Sequence, residues 1–137
     1  MDSTQEQINT IFPKVAELTA DALAIDIARV TPTASLIDDL GAESIDFLDL
    51  VFRLEREFNV KIPHGQITVD ARGDLSVAEF EEKGVLTDAG LERLKAFLSE
   101  VPAERFKTPM RVVEIPKLFT TETFCKVVLR QQQAVAP

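Results

Sequence analysis

Ser44-Ile45-Asp46-Phe47-Leu48-Asp49-Leu50-Val51-Phe52-Arg53-Leu54-Glu55-Arg56-Glu57-Phe58 is the strongest helix-coding stretch in the chain. It contains no glycine or proline, and Val60, Ile62 and Pro63 close it, because proline cannot continue a helix and forces its predecessor into extended geometry. At 100° per residue, with Ser44 set to zero, Phe47, Leu50, Val51, Leu54 and Phe58 fall in an arc about 100° wide, the usual width of a core-facing stripe. Ile45, Leu48 and Phe52 do not belong to it. They cluster between about 40° and 100°, roughly on the opposite side. Asp46, Asp49, Arg53, Arg56 and Glu57 fill the sector from about 120° to 220°, and Glu55 stands alone near about 20°.

A helix in a small domain buries one stripe readily, whereas two stripes need cover from both sides. The second stripe therefore either packs beneath residues 64–112 or faces outward. Three large side chains left in water forgo ~1.5–3 kcal/mol each, a cost usually tolerated where a partner or ligand uses the surface. The reading favours a docking surface. Ser44 lies beside this stripe at the start of the helix. A serine there is ordinarily an N-cap, its oxygen accepting an orphan backbone N–H. Its company is less ordinary: acidic flanks, Gly41 three residues earlier, and the electropositive field of a helix N-terminus, which favours a phosphate group nearby.

Outward from this helix, residues 25–43 read as a long loop anchored by Leu36, Ile37 and Leu40 and closed by Gly41. Residues 4–24 read as a helix, with Ile8, Ile11, Phe12, Val15, Leu18 and Ala22 at three- and four-residue spacing. Ser3 or Thr4 would cap it, and Pro13 predicts a kink or a fresh start. Residues 64–86 are punctuated by Gly65, Gly73 and Gly84 and carry one weak helical turn near 76–82. A helix follows at 87–100, with Thr87 as N-cap and Pro102 as stop. A short element at 112–118 precedes a last helix from Thr121 to about Gln132, ending in a frayed QQQAVAP tail. The fold class is all-α with long loops, in a single domain spanning 1–137.

The bulk chemistry fits a soluble protein of one modest core: 137 residues, 45% apolar and 28% charged. Cys125 is the sole cysteine, so no intrachain disulfide or cysteine-cluster metal site is available, and its apolar neighbours mark it as a core residue. The net charge of −8 disfavours nucleic acid and anionic lipid. Residues 38–58 hold seven acids against two bases, a net of −5, so most of the imbalance surrounds Ser44 and points to partners with a basic surface. No apolar run approaches the ~20 residues of a membrane span, and MDSTQEQ lacks the layout of a signal peptide. The expected location is the cytoplasm.

The run Ser35-Leu36-Ile37-Asp38-Asp39-Leu40-Gly41-Ala42-Glu43-Ser44-Ile45-Asp46 resembles the phosphopantetheine attachment site of acyl carrier proteins, where a Gly-x-Asp-Ser-Leu core follows an acidic-Leu pair. Leu50 to Phe58 and then Ile62-Pro63 look like that family's second helix and its exit, giving a match over residues 30–63. The resemblance implies a four-helix bundle with a helical insertion between the family's second and third helices. It implies 4'-phosphopantetheine attached to Ser44 by a phosphopantetheinyl transferase, its thiol holding acyl chains as thioesters for fatty-acid or specialised lipid biosynthesis. It also implies partner docking through Glu43, Ile45, Asp46, Leu48, Asp49, Phe52 and Glu55, with acyl-chain synthases and acyltransferases as partners, and a monomer. The role is that of a carrier, not an enzyme.

Four features depart from the pattern. Glu43 replaces the usual Asp, Ile45 replaces Leu, and Arg56 stands where an acid is common. The fourth is length. Residues 115–130 look like the family's short third and last helices, so residues 64–112 read as an insertion with an extra helix at about 87–100, as in carriers dedicated to very-long-chain, hydroxyacyl or lipopolysaccharide-type lipids. Other readings are weaker. A serine hydrolase needs a base, and His64, the sole histidine, follows Pro63 in a loop a full helix length from Ser44. Asp38, Asp39, Glu43 and Asp46 lack the spacing of a calcium loop. The one serious rival is an unmodified carrier-like interaction module.

Overall fold

The computed structural model describes residues 3–63 and 65–135, and clusters them in two compact units, Met1–Ile62 with Thr120–Pro137, and Pro63–Phe119. The described residues are mostly helical, as the sequence predicts.

The first unit is built on three helices: α1 (Ser3–Leu23), α2 (Ser44–Phe58) and α6 (Thr121–Val135). α1 packs on α6 and α2, and α2 also touches α6. Ile8, Val15, Ala16 and Ala20 are buried along α1, and the Thr19 hydroxyl donates to the Val15 carbonyl at 2.8 Å, which removes its need for water. Pro13 is exposed and does not end the helix. Its missing N–H costs one intrahelical bond, and the buried residues on both sides keep the two halves in one helix. The capping side chains expected at Ser3 and Thr4 lie outside the described residues.

From α6, Phe124, Cys125, Val127, Val128 and Leu129 enter the core. The Phe124 ring lies 5.9 Å from that of Phe47 on α2. Thr120 and Thr123 brace the start of α6 reciprocally, the Thr120 N–H donating to Thr123 Oγ1 at 3.0 Å and the Thr123 N–H to Thr120 Oγ1 at 3.2 Å. The helix continues to Val135, three residues beyond the expected Gln132.

The second unit, Pro63–Phe119, contains α3 (Gln66–Arg72), α4 (Val77–Phe80), a ribbon of β1 (Glu81–Glu82) and β2 (Val85–Leu86), and α5 (Asp88–Phe97). The sequence showed α4 as one weak turn and missed α3 and the ribbon. Lys83 and Gly84, with φ of 54° and 83°, form the two-residue turn between the antiparallel strands, the left-handed pair that a tight hairpin requires. Thr87 caps α5 as expected, its hydroxyl accepting from Gly90 N–H at 2.9 Å. Gly90 is favoured for a separate reason: a Cβ there would sit 2.0 Å from the Phe80 carbonyl oxygen, so a larger residue would force the backbone to shift. A 3₁₀ helix over Val112–Leu118 matches the expected short element, but it clusters with this unit rather than with the three long helices.

Candidate functional site

The loop ahead of α2 is fixed by its own polar groups. Ser35 N–H donates to the Asp39 carboxylate at 2.8 Å, and Asp38 N–H donates to the Ser35 hydroxyl at 3.1 Å. Ala42 N–H closes the turn onto the Leu36 carbonyl at 2.8 Å, through Gly41 at φ +75°. Leu36, Leu40 and Ala42 are buried, so apolar packing holds the chain down immediately before the helix. Ile37 is only half-buried.

The helix spans Ser44–Phe58, the bounds the sequence suggested, but its cap is the residue before the serine. Glu43 is the N-cap, in extended geometry, and its N–H donates to the Asp46 carboxylate at 2.8 Å. Ser44 is the first helical residue and not the cap. It is exposed, and among the described residues nothing bonds its hydroxyl. The Ser44 and Ile45 amides have no acceptor among the described residues either, while those of Asp46 and Phe47 turn onto the Glu43 carbonyl at 2.9 and 3.2 Å. A free hydroxyl beside unpaired N–H groups at a helix N-terminus suits a phosphodiester attached through Ser44 Oγ.

The two stripes of α2 separate as the wheel predicts. Leu50 and Leu54 are 0% exposed, whereas Ile45, Leu48 and Phe52 are 70%, 50% and 62% exposed. The acidic residues differ in how free they are. Asp46 is engaged by the Glu43 N–H, and Asp49 pairs with Arg53 at 3.2 Å. Glu55 accepts the Ile62 N–H at 2.7 Å, across the end of the helix, and so holds the exit segment against α2. That anchoring role was invisible in the sequence, because seven residues and a left-handed Asn59 (φ 54°) separate the two partners.

A protein-family model described as the phosphopantetheine attachment site matches residues 13–70. Acyl carrier protein AcpXL of Rhizobium etli is 44% identical over 70 residues, covering 50% of this chain and 76% of the relative. The chain belongs to the acyl carrier protein family. The attachment domain of such carriers takes 4'-phosphopantetheine as its prosthetic group. Another carrier, AcpXL of Mesorhizobium japonicum, is 50% identical over 56 residues, covering 41% of this chain and 60% of its own. The acyl carrier protein of Thermotoga maritima is 42% identical over 74 residues, covering 53% of this chain and 90% of its own. No solved structure matches this carrier.

Elsewhere the chemistry is quiet. Among the described residues, no group of His, Cys, Asp and Glu is arranged to hold a metal ion, and no helix is long and apolar enough to cross a membrane. Cys125 is 0% exposed; burial, with the Glu122 charge adding to it, pushes its thiol up to about 12. It is a core residue. His64 lies outside the described residues.

Proposed function

We propose that this chain is a cytoplasmic, monomeric acyl carrier, not a catalyst, with Ser44 as the attachment point of its phosphopantetheine arm. The arm supplies a terminal thiol that holds acyl groups as thioesters. The chain's own residues present it: the buried Leu36-Leu40-Ala42 anchor fixes the loop, Glu43 caps α2, and the unpaired Ser44 and Ile45 amides face a phosphate bonded to Ser44 Oγ. The observation that carries the reading is the exposed, unengaged Ser44 hydroxyl one turn from an exposed Ile45-Leu48-Phe52 stripe.

That stripe, with Glu43, Asp46, Asp49 and Glu55 around it, is the docking face for the phosphopantetheinyl transferase and for acyl-chain synthases and acyltransferases with basic surfaces. Residues 63–119 support assignment as a specialised carrier within fatty-acid or lipid biosynthesis. An experiment on loaded protein tests the carrier role. Chain modified with a phosphopantetheinyl transferase and charged with a radiolabelled fatty acid by an acyl-carrier synthetase should hold label that neutral hydroxylamine releases, as it cleaves thioesters. Label that resists hydroxylamine, or absence of label on modified chain, refutes it.

A further inference from the structure

The exposed face of α2 does not stop at Phe52. Arg56 lies one turn further on, at about 120° on a wheel where Ile45 is at about 100° and Phe52 at about 80°, and it is exposed. Along the axis it stands about 18 Å from Ser44 at ~1.5 Å per residue. Among the described residues no carboxylate pairs with it. The other arginine of the helix is different, since Arg53 is already bonded to Asp49 at 3.2 Å. Of the two acids adjacent to it in sequence, Glu55 is occupied by the Ile62 N–H at 2.7 Å, and Glu57 points about 100° away around the helix. The face therefore runs from an acidic serine end (Glu43, Asp46), through three apolar side chains and a self-neutralised pair, to one unpaired cation.

We propose that the acyl-chain synthases docking on this helix carry a carboxylate that meets Arg56, at the end of their docking groove remote from the serine. This rests on the carrier reading given above. Charge complementarity supports it: a uniformly basic partner would bring like charge against Arg56, and a guanidinium covered without a partner is costly. A bipolar groove, basic toward Ser44 and acidic toward Arg56, also fixes the direction in which the helix lies in it. The plainer role of Arg56 is to sit in the last turn and complement the helix dipole. That role makes Arg56 matter to helix stability alone, and turnover separates the two.

Wild type, Arg56→Lys, Arg56→Gln and Arg56→Glu are each loaded to completion, checked by intact mass, and given to one synthase that extends acyl groups on the wild-type carrier. Arg56→Glu should lose about tenfold or more in kcat/KM, mainly through KM. Arg56→Gln should lose less, and Arg56→Lys should keep most of the rate. Replacing the groove carboxylate of the synthase by lysine should restore Arg56→Glu. Turnover of Arg56→Glu or Arg56→Gln within twofold of wild type overturns the proposal. Should Arg56→Glu fail to fold, Arg56→Gln against Arg56→Lys carries the comparison. Failure of the wild type to load, or to be extended once loaded, refutes the carrier reading instead.

Discussion

Opposite faces of α2 should answer differently to substitution. Leu54 is 0% exposed and Phe52 is 62% exposed, two residues apart on one helix. Leu54→Ala removes buried methyl groups and leaves a cavity, at a cost of ~2–5 kcal/mol. Full burial of a phenylalanine is worth roughly 1.5–3 kcal/mol, so the part of Phe52 removed from water contributes about 1 kcal/mol or less. Phenylalanine and aspartate have similar helix propensities, so the exchange adds little on that account. In a small domain one kcal/mol moves Tm by about 4–8 °C. We therefore predict that Leu54→Ala lowers the unfolding midpoint of the first unit by about 10–30 °C, and Phe52→Asp by about 8 °C or less. The order reverses in turnover, where Phe52→Asp should cost ~10–100-fold in synthase kcat/KM, the scale of an apolar anchor in an interface. Thermal unfolding followed by α2 amide signals, with synthase kinetics on loaded protein, reads both. A Phe52→Asp protein that unfolds with Leu54→Ala, or that turns over like wild type, would falsify the two-face account.

Further outcomes follow from other contacts. Glu55→Ala should destabilise the first unit by ~1–3 kcal/mol, because it leaves the buried Ile62 amide without an acceptor; denaturant titration checks this, and a neutral result removes the anchoring role. Cys125, with its thiol pushed up to about 12, should not react with a disulfide reagent at pH 8 in native unmodified protein, and modification should add one fast-reacting thiol; fast reaction of the unmodified form would count against the buried placement. Gly90→Ala should destabilise α5 by roughly 1–3 kcal/mol, since the new Cβ meets the Phe80 carbonyl at 2.0 Å, read as faster amide exchange in α4 and α5. The Glu79 carboxyl is held below its usual range, chiefly by the Ser76 backbone N–H and also by its side chain. Its contribution to the α4 cap is present above the unfolded pKa and is lost as pH falls through the lower folded value, so α4 amide protection, taken relative to the intrinsic exchange rate, should fall below about pH 4.5 and should not in Glu79→Gln.

The sequence revealed most about α2, because fifteen residues without a breaker let periodicity assign every side chain to a face. It erred at the helix start by favouring serine as cap. The spacing held a better signal: with Ser44 as cap the third helical position is Phe47, whereas with Glu43 it is Asp46, whose carboxylate can accept the cap N–H. Residues 64–86 were opaque for another reason. α3 is seven residues and each strand is two, too short for either period to register, and Lys83-Gly84 is not the Asn-Gly pair that announces a tight hairpin. The helix read at 4–24 runs through Pro13 without a fresh start, because packing on both sides of that residue outweighs one missing intrahelical bond.

The central claim is that Ser44 Oγ bears the prosthetic group. Intact-mass measurement after co-expression with a broad phosphopantetheinyl transferase tests it most directly, on wild type and on Ser44→Ala. The account predicts one added phosphopantetheine on the wild type and none on Ser44→Ala. A wild type that stays unmodified, or a Ser44→Ala protein that still gains the group, contradicts it.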